Sequence, residues 1–161
     1  MILLLKHQAS LPGVFLFLYA GKTMDELLTE EQKAGMDIYK TACFRSGVFL
    51  NEGNNRFRFI AFPDMAQFSN ISDILVADMD KDGHLDLIVS GNSSDADVSS
   101  GNYDAMATLL LSGDGKGRFQ PVLQSGLNAR GEVRRIIPLQ GGTSFILLKN
   151  NGKAQSFTKN D

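Results

Sequence analysis

The sequence predicts a mainly β chain of repeated antiparallel hairpin units behind a short helical N-terminal segment. Three observations carry this. From Ser46 onward, short apolar runs alternate with Gly, Asn and Asp turn signals. The same strand–turn–strand pattern then recurs along the chain. Before Ser46, two capping-box patterns mark helix starts. The chain has 161 residues, the size of about one domain. Its hydrophobic residues make up 43% and its charged residues 21%, a balance too apolar for disorder. No apolar run reaches the ~18 residues that a membrane-spanning helix requires. A single cysteine, Cys43, excludes an internal disulfide framework and a cysteine-rich zinc module. A net charge of −2 argues against a nucleic-acid partner, which selects for a basic face.

Residues 1–44 read as a helical or irregular segment. Two apolar stretches, 1–5 and 14–20, are separated by Pro12-Gly13. Lys6 and His7 precede the second stretch, but Ala20-Gly21-Lys22 is a poor cleavage site, so a secretory signal lacks its parts. Thr23-Met24-Asp25-Glu26 and Thr29-Glu30-Glu31-Gln32 both fit the capping box, with Leu27, Leu28, Ala34 and Ile38 behind them, and predict one or two helices across 23–42. Cys43, with no histidine near it in sequence, reads as a small buried apolar residue.

Residues 45–161 read as short strands. Val48-Phe49-Leu50 leads through the turn at 51–55 into Arg56-Phe57-Arg58-Phe59-Ile60. Leu109-Leu110-Leu111 leads through the glycine-rich turn at 112–117 into Arg118-Phe119-Gln120-Pro121-Val122, which aligns Phe119 with Phe57. Phe145-Ile146-Leu147-Leu148 leads through 149–153 into Ala154-Gln155-Ser156-Phe157. Between the first two lies another unit: Ile74-Leu75-Val76-Ala77, an aspartate loop, then Leu87-Ile88-Val89. It has an ungapped echo further along, from Val133 through Gly141-Gly142 to Leu148, in which Val133 aligns with Ile74. Hairpin repeats of ~40–60 residues point to propeller blades or a solenoid ahead of a sandwich.

The acidic residues are concentrated. Residues 73–104 hold eight aspartates and one lysine, a net −7, against 15 basic and 10 acidic residues elsewhere. All eight are aspartate, which prefers turns to helices, so the cluster reads as a loop feature. Asp78-Met79-Asp80-Lys81-Asp82-Gly83-His84-Leu85-Asp86 sets carboxylates at positions 1, 3, 5 and 9 and glycine at 6. Alternate residues of such a loop point inward on a hard cation, and position 7, His84, offers its backbone carbonyl. The glutamate that closes an EF-hand at position 12 is Val89 here, inside an apolar run, so Asp86 closes the loop instead. A flexible cage of many oxygens suits calcium over magnesium. Zinc would want thiolate or imidazole, and the chain offers only Cys43, His7 and His84. The alternative is a solvated acidic turn, but four carboxylates in so short a loop repel one another and Lys81 cannot neutralise them all. Asp95, Asp97 and Asp104 lie in a Gly/Asn/Ser-rich stretch without ligand spacing and read as a solvated loop, with a second cation site as the alternative. Asp114-Gly115-Lys116-Gly117 reads as a hairpin turn, and Arg134-Arg135 as a solvated strand face.

Asp78 to Asp86 with Leu87-Ile88-Val89 behind it, and Leu111-Ser112-Gly113-Asp114-Gly115-Lys116-Gly117-Arg118-Phe119 downstream, resembles the VCBS/FG-GAP repeats of integrin-α-like β-propellers. The wider pattern, including Gly21-Lys22-Thr23-Met24-Asp25-Glu26-Leu27-Leu28, Phe49-Leu50-Asn51-Glu52-Gly53, Asn102-Tyr103-Asp104 and Gly131-Glu132-Val133-Arg134, is similar to the C-terminal part of bacterial cartilage-acidic-protein-like proteins. The resemblance implies about two to three antiparallel blades over 45–161, part of a larger propeller, in an exported or cell-surface protein. It implies Ca²⁺ held by Asp78, Asp80, Asp82, the His84 carbonyl and Asp86, and a role in binding or adhesion to a protein or glycan ligand; charge and the short apolar runs speak against nucleic acid and a transmembrane span. The Phe-Gly and Gly-Ala-Pro elements of the integrin repeat are absent, and the last repeat has Ile137, Leu139, Gly141 and Phe145 at its ligand positions, so a single intact site is expected. Two other readings compete. One is a fragment of a propeller-fold polysaccharide-active enzyme, which would need an acid/base pair or a Ser/His/Asp set that the sequence does not display. The other is a truncated reading frame without independent function.

Overall fold

The turn signals fall where the chain turns, and the apolar runs between them form strands. The computed structural model describes residues 2–4, 21–94, 101–139 and 144–159. The chain separates into two compact units, Met1–Phe44 and Arg45–Asp161.

In the first unit, strand β1 (Ile2–Leu4) pairs antiparallel with β2 (Asp37–Tyr39). Helices α1 (Met24–Leu27) and α2 (Glu30–Ala34) lie between them in sequence. The second capping box forms in full and the first by its Glu26 half, the Glu26 N–H bonding the Thr23 carbonyl at 3.1 Å. The Thr29 side chain accepts from the Gln32 backbone N–H, and the Gln32 side chain accepts from the Thr29 backbone N–H at 2.9 Å. Glu26 accepts from the Thr23 backbone N–H at 2.7 Å, which holds its carboxyl below the usual glutamate range. The helices are shorter than the 23–42 span expected. Gly35, a poor helix former, closes α2, and Asp37-Ile38-Tyr39 enters a β-ladder instead of a further turn.

The described strands of the second unit all pair antiparallel, in blade-like pieces. β3 (Gly47–Gly53) and β4 (Arg56–Ala61) form a hairpin, followed by a 3₁₀ turn at Asp64–Gln67. β5 (Ile71–Ala77), β6 (Asp86–Gly91), β7 (Leu109–Gly113) and β8 (Phe119–Pro121) make a four-stranded meander in sequence order. β9 (Val133–Pro138), β10 (Ser144–Lys149) and β11 (Gln155–Thr158) make a three-stranded one. β3 and β7 begin at Gly47 and Leu109, and β5 and β9 at Ile71 and Val133. Both offsets equal the spacing from Phe57 to Phe119 in the sequence. The unit therefore holds one complete four-stranded blade between two incomplete ones, mainly β as expected.

One repeat assignment changes. In sequence, residues 145–148 fit both the hairpin unit and the unit around the aspartate loop. β10 pairs with β9 on one side and β11 on the other, so it takes the place of β6. The apolar 14–20 stretch, Asp95, Asp97 and Gly141-Gly142 lie outside the described residues.

The core forms on both faces of β6, every residue of which is buried. Leu87 and Val89 point one way, joining Phe62, Ala66 and Leu111. Ile88 points the other way, into a cluster with Ala129, Val133, Ile136, Phe145 and Leu147. Strand alternation thus packs the complete blade against the incomplete one on each side.

Candidate metal centre

Residues 78–85 connect β5 to β6, so one strand end and one strand start fix the loop. Inside it the backbone twice enters the left-handed region, at Lys81 (φ 65°) and Gly83 (φ 89°). Glycine meets that demand without a Cβ penalty. The aspartates shape the loop through their own backbone, as short acidic side chains do in turns. Asp80 Oδ1 accepts from the Asp82 N–H at 3.1 Å, Asp82 Oδ1 from the His84 N–H at 2.7 Å, and Asp78 Oδ2 from the Gly83 N–H at 3.0 Å.

Asp86, the first residue of β6, is 1% exposed. Its Oδ2 accepts from the Met79 N–H at 2.8 Å and its Oδ1 from the Gly113 N–H at 3.0 Å. One buried carboxylate thereby ties the loop to β7. The contact is close: a Cβ on Gly113 would lie 2.1 Å from the Leu85 carbonyl oxygen, and one on Gly115 would lie 2.6 Å from His84 Nδ1. The His84 ring therefore sits against the β7–β8 turn.

Asp78, Asp80 and Asp86 each place one carboxylate oxygen within 4.8 Å of the other two. Asp78 and Asp80 are exposed, and Asp86 is buried. Three hard oxygen donors so close repel one another when bare, and they can hold a single metal ion. Asp82 is outside this group, its Oδ1 turned to the His84 N–H.

Among the described residues, two aspartates of the 73–104 cluster are strand residues, against the expectation of a loop feature. Asp86 starts β6, and Asp73 lies within β5, where it accepts from the Ile136 N–H of β9 at 2.8 Å. A carboxylate on a strand can receive a neighbouring sheet's free N–H, which composition does not reveal. Cys43 is exposed, contrary to expectation; it precedes β3 in a stretch without strand pairing. The Asp114 turn forms as expected: Asp114 Oδ1 accepts from Lys116 and Arg118 N–H groups at 2.7 and 3.0 Å, which lowers its carboxyl pKa.

Gly113 beside the loop, and Asn92 and Glu132 at the opposite end of β6, are structural residues not visible to sequence reasoning. Gly113 reads as part of a turn motif, with no sign that a neighbouring carbonyl touches it. Asn92 is buried with φ 80°, and its side chain donates to the Met106 and Gly131 carbonyls at 2.6 and 3.1 Å. Glu132 is 8% exposed, accepting from Ser94 Oγ at 2.7 Å and Asn150 Nδ2 at 3.2 Å, with Arg134 paired to it. These bonds, Ser94 foremost, hold its carboxyl below the usual glutamate range.

Residues 42–89 match the family model of the FG-GAP-like repeat, a span running from just before β3 through the aspartate loop to Val89 of β6. No curated protein and no solved structure matches the chain significantly.

Proposed function

Because the chain carries an FG-GAP-like repeat over residues 42–89, we propose that residues 78–86 form a calcium site in a propeller-type module that works by binding or adhesion at the cell surface. The observation that carries this reading is the convergence of Asp78, Asp80 and Asp86 across a loop shaped by Gly83. The donors are all hard oxygens, which suits calcium, and Asp82 and the His84 carbonyl are the remaining oxygens of the motif. A bound calcium ion would neutralise the carboxylates and stiffen the loop against the β7–β8 turn. The residues themselves already hold the loop, through Asp86 to Met79 and Gly113. Residues 45–161 are, in this reading, part of a larger propeller whose ligand is a protein or glycan.

The test is a thermal melt in calcium, in magnesium and in chelator. An extracellular-type site with Kd of roughly 10⁻⁴ to 10⁻³ M stabilises by about 1.4 to 2.7 kcal/mol at about 10 mM ion. Calcium is expected to raise Tm by several degrees over chelator, and the Asp78→Asn/Asp80→Asn double variant to lose that shift. An equal shift with magnesium, or an unchanged shift in the double variant, overturns the calcium reading.

A further inference from the structure

The complete blade and the incomplete blade after it bury equivalent surfaces, and one element is missing from the second. Beside the complete blade, Leu87 and Val89 of β6 and Leu111 of β7 pack on Phe62, which follows β4. The outer strand β8 finishes that layer: Phe119 meets Phe62 edge-on, with ring centroids 5.8 Å apart and planes at 80°. One repeat later, Phe145 and Leu147 of β10 and Phe157 of β11 occupy the corresponding places, and residues 122–127, which follow β8, stand where Phe62 stood. No outer strand follows β11 among the described residues, and β11 is the edge of its sheet.

At that place is a cavity of about 490 Å³. Its walls are Leu110, Val122, Leu127, Phe145 and Phe157, with Asp80 of the aspartate loop at its rim. Four of those walls belong to the core cluster itself or pack against it, so the cavity continues an apolar layer already buried. Phe145 and Phe157 are stacked at 5.5 Å, which gives its floor a fixed aromatic surface. The Lys159 amine, also at the cavity, donates to the Met79 carbonyl.

We propose that this cavity is the socket of a fourth strand, filled by an extended polypeptide segment from outside this sequence. The segment adds antiparallel to the outer edge of β11, which pairs with no further strand among the described residues, and sets an aromatic side chain into the cavity as Phe119 does one repeat earlier. The two outer strands in the chain indicate its chemistry. Both carry Arg-Phe after a glycine-containing turn, as Arg56-Phe57 and Arg118-Phe119. The occupant is therefore a strand with an aromatic residue behind a tight turn, and no metal ion takes part.

The probe is a fluorescently labelled peptide with the sequence of residues 114–123, added to the full chain in calcium and in chelator and followed by polarisation. Saturable binding is expected in both conditions. Burying one phenylalanine corresponds to about a ten- to hundredfold change in affinity. Replacing the peptide's phenylalanine by alanine, and separately Val122→Trp in the chain to fill the cavity, should each weaken binding at least about tenfold. The alanine peptide leaves the folded chain untouched, so it decides the matter if the tryptophan variant misfolds. Absence of saturable binding in both conditions, or equal binding of the alanine peptide, overturns the proposal and leaves the calcium melt unaffected. Light scattering that shows a dimer excluding the peptide also overturns it, because a second copy would then be the occupant.

Discussion

Asp86 joins three stretches of chain through one carboxylate, taking the N–H of Met79 in the loop and of Gly113 in β7 from its own place at the head of β6. Removing it leaves two buried N–H groups unpaired, at about 1–3 kcal/mol each. Asp86→Ala is expected to lower stability by about 2–4 kcal/mol in urea melts even in chelator, whereas Asp80→Ala in chelator should be within about 0.5 kcal/mol of the parent. Equal effects would mean that Asp86 acts only as an ion ligand. Glu132 makes a pH-dependent contribution. Its folded pKa is lowered, chiefly by Ser94, so its stabilisation is complete above the ordinary glutamate range and fades as pH falls through the folded value. Glu132→Gln should therefore narrow the stability difference between neutral and acidic pH; an unchanged acid limb of Tm against pH counts against this role. The loop aspartates are legible in the sequence because their spacing is local. The burial of Glu132 is not, since Ser94 and Asn150, which donate to it, lie 38 and 18 residues away.

At the scale of elements, the loop at 78–85 and the β7–β8 hairpin behave as one piece. Gly113 touches the Leu85 carbonyl where a Cβ would be 2.1 Å away, and backbone cannot yield as a side-chain tip can. Gly113→Ala is expected to cost about 1–3 kcal/mol by forcing the loop off β7, read as a lower urea midpoint with an unchanged m-value. If calcium binds the loop, the same variant should also weaken the calcium-induced Tm shift. A midpoint equal to the parent's would show that the contact relaxes freely. The strands themselves are readable, because alternation and turn residues act over a few positions. The short helices are legible through their capping boxes, but β2 is not: Asp37–Tyr39 carries no strong pattern and forms a strand by pairing with β1, at the far end of the same unit.

For the whole second unit, the load falls on β6, buried on both faces between the neighbouring sheets. Ile88 is fully buried in the layer that faces β9–β11. Ile88→Ala is expected to cost about 2–5 kcal/mol and to lower the melting of residues 45–161 as a single transition. Two separated transitions would mean that the sheets unfold independently. Local information in the sequence determined the antiparallel strands, their turns, the recurrence of the hairpin unit and the aspartate loop, because each depends on residues close along the chain. Which repeat β10 belongs to, that Asp73 bridges to β9, and that Asp86 converges with Asp78 and Asp80 while Asp82 turns to the loop backbone were decided only in three dimensions. The bridges of Asp73 and Asp86 depend on which backbone N–H groups of β9 and β7 are left for them, and that is set when the strands and blades pack.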